Sequence, residues 1–213
     1  MHLRHIGHRG VGAVARRAMS PAIIALVVLT AVAGTASARN FSISNQSIRA
    51  SFREVIFRGV FGTTNCQLTL EGSMHWRTIA KIAGQLTGFI TAARLGPCAA
   101  GTATILQAGL PWHVRFASFS GALPSITSMT RDLVGAAFST RETGGISCLV
   151  RTTATEPARG ILTIGAGGVI TGAELGGSIR SGAECFGAAG TFTSSRGVVT
   201  VLNSTTAVTL TLI

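Results

Sequence analysis

Gly88-Phe-Ile-Thr-Ala-Ala-Arg-Leu-Gly96 and Gly168-Val-Ile-Thr-Gly-Ala-Glu-Leu-Gly176 are one phrase written twice, identical at six of nine positions. Each copy is followed by a cysteine and then Ala-Gly-Thr-x-Thr: Cys98 with Ala100 to Thr104, and Cys185 with Ala189 to Thr193. Each is preceded by a cysteine with an arginine 11 residues on, Cys66 with Arg77 and Cys148 with Arg159. Read as a duplication, the chain holds pseudo-repeats over about 66–104 and 148–193. Counting alone allows three pairings of four cysteines. The duplication selects Cys66–Cys98 and Cys148–Cys185, separated by 32 and 37 residues. Each such bridge contributes roughly 3 to 4 kcal/mol in the chain-entropy estimate.

The second copy also decides the secondary structure of the first. Trp76, Ile79, Ala80 and Ala83 fall at helical spacing. The counterpart, Gly160-Ile-Leu-Thr-Ile-Gly-Ala-Gly-Gly168, is too rich in glycine to hold a helix. Strand–turn–strand is therefore expected in both. In the shared strand Phe89, Thr91, Ala93 and Leu95 form one face, matched by Val169, Thr171, Ala173 and Leu175. Ile90, Ala92 and Arg94 form the other, matched by Ile170, Gly172 and Glu174. Identity on the first face and a charge swap on the second predict that the first is buried.

Further strands follow from alternation at Ile48–Phe52, Trp112–Phe116, Val198–Leu202 and Ala207–Ile213. Turns are expected at Gly62, Gly72, Gly121–Pro124 and Gly144-Gly145. Ten to twelve short strands at this spacing make an all-β fold, an antiparallel sandwich or barrel built from two duplicated β units.

Upstream of the repeats, Arg4, Arg9, Arg16 and Arg17 precede an apolar run, Ala22–Ala33, and a small-residue ending, Ala36-Ser37-Ala38. These are the three parts of an export signal. The run is short of the roughly 20 residues a membrane span needs. Residues 1–38 read as a signal-peptide helix, cleaved after Ala38, and 39–213 as a single all-β domain. Four cysteines, all in the exported part, suit an oxidising compartment, secreted or in the cell envelope.

The net charge of +11 falls once the four signal arginines are removed, leaving 13 Arg and Lys81 against 7 acidic residues. The cations are scattered and not interleaved with aromatics, which argues against nucleic acid as a partner. No stable membrane insertion is expected after cleavage. A lipid-facing barrel would call for aromatic girdles, and the chain has no Tyr.

Chemistry-bearing residues are few. Beyond the signal there are two histidines, His75 and His113, and one aspartate, Asp132. A Ser-His-Asp hydrolase site assembled from them lacks a Gly-x-Ser-x-Gly turn. No cysteine or histidine spacing suggests a metal, and no cofactor is implied. One constellation stands out: His75-Trp76-Arg77 and Trp112-His113-Val114-Arg115 both place His and Arg at i and i+2, on one strand face beside a Trp. On neighbouring strands His75, Arg77, His113 and Arg115 would converge as an anion-binding site. The plainer reading makes Trp76 and Trp112 core anchors and the His/Arg row a solvated face.

Leu110-Pro-Trp-His-Val-Arg-Phe116 and Glu156-Pro-Ala-Arg-Gly160 resemble segments of small exported proteins of high-GC actinobacteria that carry no assigned function. The resemblance implies export and a β fold and transfers no site. The expected role is first a non-enzymatic structural or interaction protein, at the cell surface or secreted. Next comes a binding module for a sugar or small anionic ligand, and last a hydrolase.

Overall fold

Strands that are apolar on one face must hide that face, and a sheet that curls until its edges meet does so without leaving an edge unpaired. A computed structural model describes residues 40–59, 62–122, 125–141, 145–187 and 189–213, so the expected signal peptide lies outside the described residues. The first strands are β1 (Phe41–Ile43), β2 (Ser47–Arg58), β3 (Thr63–Met74), β4 (Thr78–Ile79), β5 (Leu86–Ala100), β6 (Thr102–Ile105), β7 (Trp112–Ala122) and β8 (Ser125–Val134). They are followed by β9 (Ala137–Arg141), β10 (Ser147–Arg151), β11 (Ala158–Ile164), β12 (Ile170–Ser181), β13 (Ala189–Ser194), β14 (Val198–Val201) and β15 (Leu210–Leu212). No α-helix occurs among these residues, and none of them forms a helix long and apolar enough to cross a membrane.

Eight strands pair in the order β11-β8-β7-β5-β3-β2-β13-β12, and β12 pairs back onto β11. Every neighbouring pair in this ring is antiparallel. The choice between sandwich and barrel thus resolves to a barrel. Leu68, Leu70, Val114, Phe116, Leu133 and Ala173 are buried, while Arg94, His113 and Thr91 are exposed. The inside is apolar and the outside polar.

Two groups of short strands close on the ring, one continuing its sheet where β10 pairs with β12 and the other a separate three-stranded sheet. At one end β9 pairs with β6 and β10, and Phe138 packs against Phe57 of β2 and Trp112 of β7, with ring centroids 5.0 and 5.3 Å apart. Toward the other end of β7, β1 runs between β15 and β4. There Phe41 meets Phe116 at 6.1 Å and Phe119 at 5.4 Å.

Both disulfides connect as the repeat requires. Cys66 of β3 faces Cys98 of β5, with Cα atoms 3.9 Å apart, and Cys148 of β10 bonds Cys185 just after β12, at 5.6 Å. Two disulfides fit an extracellular location.

The buried face of the shared strand needs correction. β3 pairs Glu71 with Ala92 and Gly72 with Ile90, leaving Thr91 unpaired. β11 pairs Thr163 with Gly172 and Ile164 with Ile170, leaving Thr171 unpaired. In each case the bulged threonine hydroxyl donates to a carbonyl of the facing strand, Glu71 or Thr163, at 3.5 Å. One extra residue reverses the alternation. Ala93, Leu95, Ala173 and Leu175 therefore join the core as expected, but upstream it is Ile90 and Ile170 that do so, with Thr91 and Thr171 exposed.

Other expectations fail nearby. Gly72 is no turn residue: it lies inside β3 opposite the bulge, where a Cβ would collide with the Phe89 carbonyl oxygen. The segment after Trp76 is not helical, yet its only strand, β4, pairs with β1. The first copy therefore lacks the β11–β12 hairpin of the second. Trp112 is fully buried, but Trp76 is 75% exposed and anchors nothing.

Candidate functional site

The inward face of β8 reads Met129, Arg131, Leu133, all buried. Strand alternation thus carries a guanidinium into the apolar lumen. Its neighbours in register are Phe116 on β7 and Gly160 on β11, and the glycine adds no side chain beside it. The side chain crosses toward β3, where Nη1 donates to Met74 Sδ at 2.8 Å, and Nη2 donates to Met129 Sδ at 3.4 Å. Thioethers are weak acceptors. The Nε–H has no partner.

Among the described residues no carboxylate comes within ion-pairing distance of this guanidinium. Asp132, its neighbour in sequence, is in register with Arg115 and Arg159, and its Oδ1 is 3.9 Å from Arg159 Nε. Burial lowers the Arg131 pKa well below the ordinary arginine value, to about 10, so the group stays cationic at neutral pH. An uncompensated buried charge is costly, and such groups normally find a partner.

Arg131 lines a cavity of about 90 Å³ whose walls include Phe52, Leu70, Val114, Leu133 and Leu175, with Ile43 of β1 at one side. Eight-stranded barrels have interiors just wide enough to be filled by side chains or to hold one small ligand. Here the space is left by Gly160 and Ala173, which also border it. Ser73, Asp132 and Glu174 border it too, and Arg131 is the one cation among its described lining residues. Chemically it offers mostly apolar contact and one cationic fork with an unmet Nε–H.

The His/Arg row behaves differently from the convergent site it suggested. β5 runs between β3 and β7, so the two His-x-Arg motifs are not neighbours. Phe89 of β5 stands between the histidines, 4.7 Å from the His75 ring and 5.3 Å from that of His113. His75, Arg77 and His113 are exposed and Arg115 is half-buried. The structure brings His75 and His113 to one outer face, exposed on either side of Phe89 with their rings tilted against it. It does not gather the four side chains around a cavity. Asp132 stands opposite Arg115 and Arg159 in register, whereas His113 stands opposite Val134.

Arg131 went unnoticed in the sequence because Thr130-Arg131-Asp132 reads as a polar stretch. The signal was its position: an arginine two residues from Met129 and two from Leu133, on the apolar face of a strand. Among the described residues no cluster of three histidine, cysteine or acidic side chains could hold a metal ion. No protein-family model, curated protein or solved structure matches the chain.

Proposed function

We propose that the chain is an exported binding module, a carrier that holds a small molecule in the lumen of its barrel. In this reading residues 1–38 are removed after Ala38 and residues 39–213 act outside the cell or in its envelope. The observation that carries it is the apolar cavity of about 90 Å³ inside the ring. Protein interiors are close-packed, and a void of this size is uncommon unless something fills it. The two disulfides support the compartment, and the polar-out, apolar-in sense is the inverse of a lipid-facing barrel. The matching bulges at Thr91 and Thr171 support descent of the two units from one.

The test has two parts. Intact-mass mapping of the protein recovered from its native host is expected to begin at Arg39. Native mass spectrometry of the same material is expected to reveal a small adduct lost on mild activation. A chain that retains residues 1–38, or a lumen that takes up no small molecule offered at millimolar concentration, would contradict the reading. A second reading, surface interaction, rests on Trp76 and Ile82, which are 75% and 61% exposed in a segment that also holds Arg77 and Lys81. Weakened retention of a Trp76→Ala variant on host cell envelopes would support it.

A further inference from the structure

We propose that the lumen takes a short-chain aliphatic monocarboxylate of about three or four carbons, its carboxylate on Arg131 and its alkyl chain against Leu70, Val114 and Leu175. This rests on the carrier reading above and adds the ligand's charge and size.

The charge follows from Arg131. Its guanidinium is buried, its partners are two thioethers, and its Nε–H is unmet. A carboxylate accepting from Nε–H and a free Nη–H would satisfy the fork in its favoured two-pronged geometry. A neutral ligand would leave the charge uncompensated. A dianion such as phosphate would bring a second charge to walls that, among the described residues, hold no second cation and that Asp132 and Glu174 also border. A monoanion with an apolar body matches both halves of the site.

The size follows from the cavity. At about 90 Å³ it is smaller than the roughly 150 Å³ cavity that admits benzene. Three or four carbons with a carboxylate fill it, and longer chains meet β1, whose Ile43 borders the space.

The experiment is calorimetric titration of the disulfide-bonded protein with sodium acetate, propionate, butyrate and hexanoate at constant ionic strength. n-Butanol serves as the neutral control, and Arg131→Met as the variant. Methionine suits an apolar lumen of similar width, so the variant is expected to fold, which its near-ultraviolet dichroism reports. Affinity is expected to peak at propionate or butyrate and fall at hexanoate. Butyrate binding is expected to drop about tenfold or more in Arg131→Met, because a charged hydrogen bond is lost, while butanol binding holds or improves. Butyrate bound equally by both proteins would overturn the assignment of Arg131. Butanol bound by the wild type with no carboxylate bound would overturn the inference and leave the carrier reading standing. No binding by either class would sink both.

Discussion

Replacing Arg131 with methionine should make the ligand-free protein more stable, which is unusual for a buried residue. A guanidinium whose pKa burial lowers from its ordinary value to about 10 carries a native-state charging cost of about 3 kcal/mol, at roughly 1.4 kcal/mol per tenfold change. Against it stand two contacts to sulfur, which are weak. Methionine has nearly the same reach, removes the charge and keeps the lumen filled, so the net gain expected is about 2 kcal/mol. Exchange of buried ionic groups for apolar ones has a similar scale. The pH dependence has a definite sign. The folded pKa lies below the unfolded one, so from about pH 10 up to the ordinary arginine value the unfolded chain keeps a proton that the native chain has shed. Wild-type stability therefore gains from this group as pH rises through that window, and the full cost is present below it. Urea unfolding is the assay, since guanidinium chloride would introduce both a competing cation and an anion. At pH 7.5 the Arg131→Met midpoint should lie about 1 M above wild type, and the gap should shrink toward pH 10.5. A variant less stable than wild type by 1 kcal/mol or more would refute the reasoning, because it would mean that Arg131 has an internal partner.

Five further outcomes are expected. Trp112→Ala should cost about 3 to 5 kcal/mol, as a buried aromatic lost from a packed end. Trp76→Ala should change stability by less than about 0.5 kcal/mol in the same urea titration, since its side chain is exposed. Gly88→Ala should cost about 1 to 3 kcal/mol, because the new Cβ would collide with the Ser73 carbonyl oxygen. Gly176→Ala, whose Cβ would sit 3.7 Å from the Phe192 oxygen, should be tolerated on the same assay. Joint replacement of Cys148 and Cys185 by alanine should lower stability by about 4 kcal/mol, for a bridge spanning 37 residues. Little change would mean that the reduced unfolded chain is already compact there.

What could be read in advance was whatever depends on local pattern. Alternation placed β7 at Trp112–Phe116 and β14 at Val198, and the duplicated phrase chose both disulfides. Bulges break that logic. The extra residue at Thr91 moves Phe89 out to the histidines and turns Ile90 inward, and nothing in Ile-Thr-Ala announces it. Trp76 misled because a large aromatic in an alternating run normally faces the core, whereas here β3 ends at Met74, before it. The His/Arg row was legible as a row but not as two rows split by β5, since neighbourhood in a ring depends on pairings distant in sequence. Arg131 was hidden by the same limit. A charge on an apolar strand face becomes a lumen charge only when the sheet closes, and closure rests on β11 meeting β12.

The most direct measurement is a crystal structure of the disulfide-bonded protein with 3-bromopropionate, read by the anomalous signal of bromine. One strong bromine peak is expected inside the ring, near Leu70, Val114 and Leu175, with carboxylate density on Arg131. A lumen without bromine, or bromine found only on the outer surface, would contradict it.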